Sequence, residues 1–129
     1  MSSGIYYRSW YNAHAFELYE KAIKNDLKPI IGCEAYLAPF GRLNQKDEND
    51  RLRNHLILLA KNLTGYKNLV KLISLAWIEG FYYKPRIDKE LLLQHKEGLI
   101  VSSACLAGEI PRTIRNSSYE KAKEIALEF

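Results

Sequence analysis

The stretch "KPIIGCEAYLAP", residues Lys28 to Pro39, places an ionisable glutamate, Glu34, in the middle of apolar residues. The isoleucines and the opening proline predict a β-strand over residues 28–37. An ionised carboxylate is rarely buried without a positive partner, because leaving water costs several kcal/mol or forces protonation. Glu34 is therefore predicted to lie at an open strand edge or beside a cation, for which a metal ion is one candidate.

Helices and strands alternate on both sides of this strand. Apolar residues at intervals of three and four predict an amphipathic helix over residues 12–25. Two further strands are predicted, "HLILLA" at residues 55–60 and "LIVSSA" at residues 99–104. The segment 40–54 is polar and aperiodic, which is typical of an exposed loop. This order predicts the α/β class, with helices covering a sheet.

Helix starts are marked by polar residues that can accept hydrogen bonds from the first helical turn. Residues 62–64 are predicted to cap a helix that ends near Gly80, Asp88 a short helix, and Ser118 the final one. The segments "GFYYKPRID" and "CLAGEIPR" are predicted to be a connection and a turn. Three strands are too few to close a barrel, which usually needs about eight, so an incomplete domain is expected.

Composition describes an ordinary soluble domain. The 129 residues are 47% hydrophobic and 26% charged, which argues against disorder and against a membrane protein. The net charge of +4 is compatible with a polyanionic partner but too small to establish one. The two cysteines are far apart and follow no secretory leader, so a reducing cytoplasm is expected and a disulfide is not.

Three candidate metal ligands lie at strand ends or within a strand: Glu34, His55 and Cys105. Each residue type alone is more often structural, as an edge or ion-paired glutamate, a backbone-bonded histidine or a packing cysteine. Parallel strands would place Glu34 and His55 toward opposite ends of the sheet, so we infer an antiparallel hairpin across the polar loop. A carboxylate, an imidazole and a thiolate suit zinc, with manganese or iron if more oxygen ligands join.

Three long strings resemble the PHP domain, for polymerase and histidinol phosphatase, of bacterial replicative DNA polymerase III alpha subunits. They are "KPIIGCEAYLAP", "HLILLAKNLTGYKNLVKLISLAWIEGFYYKPRIDKELL" and "EGLIVSSACLAGEIPR". The resemblance covers residues 15–129 and leaves residues 1–14 unmatched. It implies a segment of a distorted (β/α)7 barrel with divalent metals at one mouth. It also implies that Glu34, His55 and Cys105 are metal ligands rather than a catalytic acid or base.

Other parts of the family pattern do not match this sequence. The stretch "MSSGIYYRSWYNAH" has neither the family's His-x-His motif nor its aspartate-histidine-glycine motif, and no role is carried onto His14. The later aspartate-x-histidine ligands and the polymerase palm, fingers and thumb would lie beyond Phe129. We therefore expect an incomplete ligand set, no polymerase activity, and little or no nuclease activity from this chain alone.

The function that the resemblance implies is DNA replication by a DNA-directed DNA polymerase, a nucleotidyltransferase. Its PHP domain would be a metal-dependent phosphoesterase acting as a 3′–5′ proofreading exonuclease, and its partners would be DNA and replisome subunits, with no membrane. The alternatives are a purely structural part of the polymerase and a stand-alone phosphatase for small phosphoesters. Open strand edges also predict a homodimer.

Overall fold

The computed structural model describes residues 5–8 and 14–129. Among these, no helix is both long and apolar enough to cross a lipid bilayer. One short 3₁₀ turn, Asn49–Arg51, interrupts the polar loop. The helices and strands in chain order are β1 Ile5–Arg8, α1 Ala15–Lys24, β2 Pro29–Leu37, β3 Asn54–Ala60, α2 Leu63–Ile78, β4 Arg86–Ile87, α3 Lys89–Gln94, β5 Leu99–Ser103, α4 Glu109–Asn116 and α5 Tyr119–Ala126.

The strands form one mixed sheet in the order β1-β2-β3-β5, with β4 beside the end of β2. β1 and β4 run parallel to β2, while β3 is antiparallel to both β2 and β5. The predicted hairpin is confirmed, because Tyr36 on β2 lies directly opposite His55 on β3. The sheet is a curled half-barrel, which confirms the α/β class and the expectation of an incomplete barrel.

Three elements were not predicted. β1 lies in a stretch without a clear pattern, and β4 has only two residues, held by pairing with Tyr36 and Leu37. The segment "CLAGEIPR" is only partly a turn, because α4 begins inside it at Glu109. Pro111 is tolerated in that helix because the first turn needs no intrahelical N–H donors. The count of three strands was therefore wrong, and the described residues contain five.

The hydrophobic core lies on one face of the sheet. Because side chains alternate along a strand, Cys33 and Leu37 of β2 share a face with Leu56 and Leu58 of β3. This face packs against buried residues of α2 and α3, namely Leu69, Leu72, Ala76, Leu91 and Leu92. The opposite face carries Glu34, Tyr36 and His55, so the strand period that builds the core also separates the polar site from it.

The predicted helix starts are confirmed by side-chain hydrogen bonds. Asn62 Oδ1 accepts from the Gly65 amide at 2.9 Å, and Asp88 Oδ1 accepts from the Leu91 amide at 2.9 Å. Ser118 Oγ accepts from the amide of Lys121 at 3.2 Å. Each bond satisfies one of the backbone donors that a helix leaves unpaired in its first turn. These caps fix where α2, α3 and α5 begin.

Candidate metal centre

Glu34 lies in the centre of β2 and is only 3% exposed. Its neighbour Cys33 points to the helix-covered face, so Glu34 points to the other one. On that face its Oε1 lies 2.8 Å from Nδ1 of His55, which stands at the beginning of β3. The antiparallel register produces this contact, because residue 34 is two positions before Tyr36, the residue opposite His55.

Cys105 approaches the same imidazole from the loop between β5 and α4. Its Sγ lies 3.5 Å from His55 Nδ1 and accepts a hydrogen bond from the amide of Ala107 at 3.4 Å. The loop is attached to β3 through its backbone, because the His55 amide donates to the Ala107 carbonyl at 3.1 Å. The thiol is therefore held at a defined place although the residue is exposed.

Arg112 on α4 also fixes this loop. Its Nη1 donates to the Arg53 carbonyl at 3.3 Å and to Asn54 Oδ1 at 3.1 Å, the two residues that precede His55. Sequence analysis did not identify this role, because "CLAGEIPR" was predicted to be a turn. Arg112 and the Ala107 carbonyl together hold the Cys105 loop against the start of β3.

The three predicted ligand residues converge on one point. One ligand atom from each of Glu34, His55 and Cys105 lies within 4.8 Å of the other two. Oxygen, nitrogen and sulfur ligands of a tetrahedral zinc ion lie roughly 3.4 Å or slightly more from one another. The 3.5 Å between Cys105 Sγ and His55 Nδ1 matches this value, whereas the 2.8 Å between Glu34 Oε1 and His55 Nδ1 is a hydrogen-bond distance that would lengthen on metal binding. The donor set therefore fits a borderline divalent metal such as zinc.

Cys33 shows by contrast what a packing cysteine looks like in this fold. It is 2% exposed among core residues, and burial, with a smaller effect of the Glu34 charge, raises the pKa of its thiol to about 12. Cys33 therefore stays protonated at neutral pH. Cys33 thus lies in the environment of a packing cysteine, whereas Cys105 lies beside an imidazole and a carboxylate.

Comparison with known protein families identifies the family of this chain. The family model described as "PHP domain" matches residues 8–129. The chain belongs to the PHP domain family. The family resemblance found in the sequence is thereby confirmed.

Three relatives show how much of a longer protein this PHP domain matches. DNA polymerase III subunit alpha of Borreliella burgdorferi is 51% identical over 116 residues, covering 89% of this chain and 10% of the relative. The Thermus aquaticus subunit is 50% identical over 111 residues (84% and 9%), and a Helicobacter pylori subunit is 43% identical over 125 residues (89% and 10%). The chain spans about a tenth of the length of these relatives.

The other two histidines of the PHP domain lie away from the ligand cluster. His14 precedes α1 and is exposed, with its Nδ1 3.6 Å from Glu17. His95 ends α3, and partial burial together with the Lys71 charge lowers its pKa. Neither histidine belongs to the metal-ligand group found among the described residues.

A second charged cluster, here called the arginine network, lies around β4, which pairs with the last two residues of β2. Arg86 is 1% exposed, and its Nε donates to the Gly80 carbonyl at 3.0 Å. Its Nη2 donates to the carbonyls of Arg42 and Asn44 at 2.8 and 2.9 Å, and its Nη1 donates to the Asp50 carbonyl. Arg86 therefore ties the polar loop to the end of α2.

Arg42 and Asp88 form the second half of the arginine network. Asp88 Oδ2 accepts from the Arg42 amide at 2.9 Å, and the Arg42 guanidinium contacts both Asp88 oxygens at 3.1 Å and Glu79 at 2.9 Å. Burial alone would raise the pKa of Asp88, but hydrogen bonds from the Arg42 and Leu91 amides and the Arg42 charge outweigh it and lower the pKa. Asp88 is thus ionised at neutral pH.

Proposed function

We propose that this PHP domain binds a divalent metal ion through Glu34, His55 and Cys105 and belongs to a replicative DNA polymerase. The observation that supports the metal proposal is the convergence of a carboxylate, an imidazole and a thiol from separate parts of the chain, within 4.8 Å. Three atoms with lone pairs gain free energy when a cation is placed among them, and all three residue types are zinc ligands. Manganese or iron would suit the site if further oxygen ligands join.

The residues of the chain have distinct roles in this proposal. A metal held here would supply a hydroxide nucleophile and stabilise charge on phosphoryl oxygens. Glu34 supplies negative charge from a buried position, and His55 supplies a ring nitrogen between the other two ligands. The Ala107 amide donates to Cys105 Sγ and holds the sulfur beside the His55 ring. None of the three ligands is assigned a proton-transfer role.

The polymerase assignment is supported by the relatives, which are named DNA polymerase III subunit alpha. We propose that the parent protein is a DNA-directed DNA polymerase, with DNA and replisome subunits as partners. Its PHP domain would hydrolyse phosphodiesters as a 3′–5′ exonuclease where the ligand set is complete. For the 129-residue chain alone we propose no polymerase activity and little or no nuclease activity, because three ligands do not fix a two-metal geometry.

Metal analysis of the purified chain tests the proposal. Chain expressed with zinc, manganese or iron is compared with a Glu34→Ala, His55→Ala, Cys105→Ala triple variant and with Cys33→Ala, which removes only the packing thiol. We expect stoichiometric metal in the wild type and in Cys33→Ala, and its loss from the triple variant. Equal metal content in all three chains, including none in any of them, would contradict a site at these residues.

The dimer expected from the sequence also remains a proposal. In the described part of the chain β5 pairs with β3 alone, and Ile100 on β5 is 49% exposed. An outer strand with an accessible edge and an exposed apolar side chain can pair with the same strand of a second copy. Light scattering of the purified chain is expected to give the mass of a dimer, and a monomer at high concentration would contradict it.

A further inference from the structure

Two arginines before β3 are each paired with a tyrosine ring, and together these residues are here called the Arg–Tyr strip: Tyr36, Arg53, Arg51 and Tyr83. The Arg53 Cζ lies 5.1 Å from the ring centroid of Tyr36, and the Arg51 Cζ lies 4.3 Å from that of Tyr83. These are cation–π distances. The two pairs are joined, because Arg53 Nη1 donates to the Arg51 carbonyl at 3.0 Å.

The Arg–Tyr strip begins at the candidate metal centre. The ring of Tyr36 meets the ring of His55 edge-on, with centroids 5.1 Å apart and planes inclined by 62°. Tyr36 and His55 are direct partners in the β2–β3 register. Arg53 comes two residues before His55, so the strip leads from the metal ligand along the chain toward the polar loop.

The strip presents positive charge to solvent. Arg51 is exposed, and Tyr83 is 56% exposed. The nearby Asp50 carboxylate is turned into the loop, where its Oδ2 accepts from the amides of Lys46 and Asp47 at 2.9 and 3.2 Å. Within residues 14–129 neither arginine forms a salt bridge with a carboxylate, although the charge of Glu48 in the same loop interacts favourably with Arg51.

The contrast with Arg86 shows that the Arg53 guanidinium remains able to bind a ligand. Arg86 is 1% exposed, and all three of its guanidinium nitrogens donate to backbone carbonyls. Arg53 is half-buried, and within residues 14–129 the hydrogen bond found for its guanidinium uses Nη1. Arg112 fixes the Arg53 backbone through its carbonyl at 3.3 Å. Arg53 thus has a held backbone and a side chain that still carries donors for an anion.

We propose that the Arg–Tyr strip binds single-stranded nucleic acid, with Arg53 contacting the phosphate nearest the metal centre and Arg51 a phosphate further along. The inference rests on the proposed function, because the metal centre would act on a phosphodiester of the same strand. Alternating cations and aromatic rings suit a ligand that alternates phosphates and bases, since bases stack on rings and on guanidinium planes. A small phosphoester would need only one cation, and a duplex keeps its bases stacked away from the rings.

Fluorescence anisotropy with a labelled single-stranded oligothymidylate tests the inference on the full 129-residue chain, in EDTA and over a range of KCl concentrations. Arg53→Ala and Arg51→Ala are each expected to weaken binding about fivefold. Each should also lower the slope of log affinity against log salt by about 0.7, the value for one phosphate contact of a single strand. The matched control is Arg115→Ala, which removes an exposed arginine from α4 that lies outside the strip.

A second pair of variants tests the role of the Tyr36 ring in positioning Arg53. Tyr36→Phe keeps the ring under the guanidinium and is expected to bind as the wild type does. Tyr36→Leu removes the ring and is expected to bind like Arg53→Ala, with circular dichroism confirming that both variants fold. Equal binding by the two variants would contradict a role for the ring.

Other outcomes would overturn the inference itself. These are no oligothymidylate binding, an equal loss in Arg53→Ala and Arg115→Ala, tighter binding of a duplex, or complete displacement by equimolar inorganic phosphate. Because EDTA removes the metal, the result does not depend on the metal proposal. Absence of metal from the purified chain would refute the metal centre and leave the binding result standing, and the reverse combination would refute the strip alone.

Discussion

Two buried carboxylates, Glu34 within β2 and Asp88 directly after β4, lie in opposite chemical surroundings. Asp88 in the arginine network meets N–H donors, namely the amides of Arg42 and Leu91 and the Arg42 guanidinium. Glu34 lies instead beside His55 Nδ1, with Cys105 Sγ within 4.8 Å. The first site is closed by hydrogen bonds from protein groups. The second contains a hydrogen bond between Glu34 and His55, but it brings together an oxygen, a nitrogen and a sulfur that are all of metal-ligand type.

This difference separates what stabilises the fold from what can bind a ligand. A buried guanidinium that reaches four carbonyls holds loop, helix and strand together without any further partner. Without a cation the ligand cluster connects fewer parts of the chain, because its side-chain contacts are those of His55 with Glu34 and Cys105. We therefore expect the stability of the metal-free chain to depend on the arginine network and its metal response to depend on the ligand cluster.

The largest effect is expected from Arg86→Leu. The substitution removes from a buried position the donor that now satisfies the carbonyls of Gly80, Arg42 and Asn44. We expect a loss of about 3 kcal/mol in the free energy of unfolding, measured by urea denaturation. Should Arg86→Leu fail to fold, Arg86→Lys is measured instead, because lysine keeps the charge but loses the planar fork. Stability equal to that of Arg115→Leu would contradict the network.

The next largest effect is expected from added zinc. A metal that binds only the folded chain stabilises it by about 2.7 kcal/mol when its free concentration is one hundred times the dissociation constant. Thermal melting with and without zinc should show this gain in the wild type and in Cys33→Ala, but not in Cys105→Ala. A similar gain in Cys105→Ala would mean that zinc binds elsewhere.

Thiol labelling separately tests the difference between the two cysteines. In the native metal-free chain Cys105 should react and Cys33 should not, because Cys33 is buried and its raised pKa keeps the thiol protonated.

The site was more predictable from the sequence than the rest of the fold, for a physical reason. The alternation of strand side chains and the antiparallel direction of the hairpin predict that Glu34 and His55 share one face of the sheet. The observed β2–β3 register puts them on the same face. Cys105 required a third strand of known position, which "LIVSSA" supplied. Core helices with clear caps at Asn62 and Asp88 were predictable for a similar reason, because both signals are local.

The elements that escaped prediction depend on distant partners. β4 is two residues long and exists because β2 pairs with it, and α4 begins within a segment rich in turn-forming residues. Arg51 and Arg53 lie in a segment of mixed charge that indicated only a solvated loop. Their ring partners, Tyr83 and Tyr36, are distant in sequence and are brought close by the fold. No local pattern encodes such contacts.

A moderate effect is expected from Asp88→Asn. Asparagine can still cap α3 but cannot carry the charge that Arg42 meets, so we expect a loss of about 1.5 kcal/mol at neutral pH. The pKa of Asp88 is lowered from 3.8 in the folded chain, so its contribution is present above that value and is lost as pH falls through the folded pKa. Urea denaturation of both chains should therefore show a difference that shrinks below pH 3.8. A difference independent of pH would mean that the ionised form is not what stabilises the fold.

The smallest effect is expected from an ion pair that is as short as any in the arginine network. Lys21 Nζ lies 2.5 Å from Glu17 Oε1 on α1, but both side chains are mostly exposed. Because both charges are already solvated in the folded chain, pairing them adds little to the free energy of unfolding. Lys21→Gln should therefore leave the urea midpoint unchanged within error. The Lys21–Glu17 contact is nevertheless shorter than the 3.1 Å between the Arg42 guanidinium and Asp88. A midpoint shift as large as that of Asp88→Asn would show that proximity of opposite charges, rather than burial with complete hydrogen bonding, makes the arginine network stabilising.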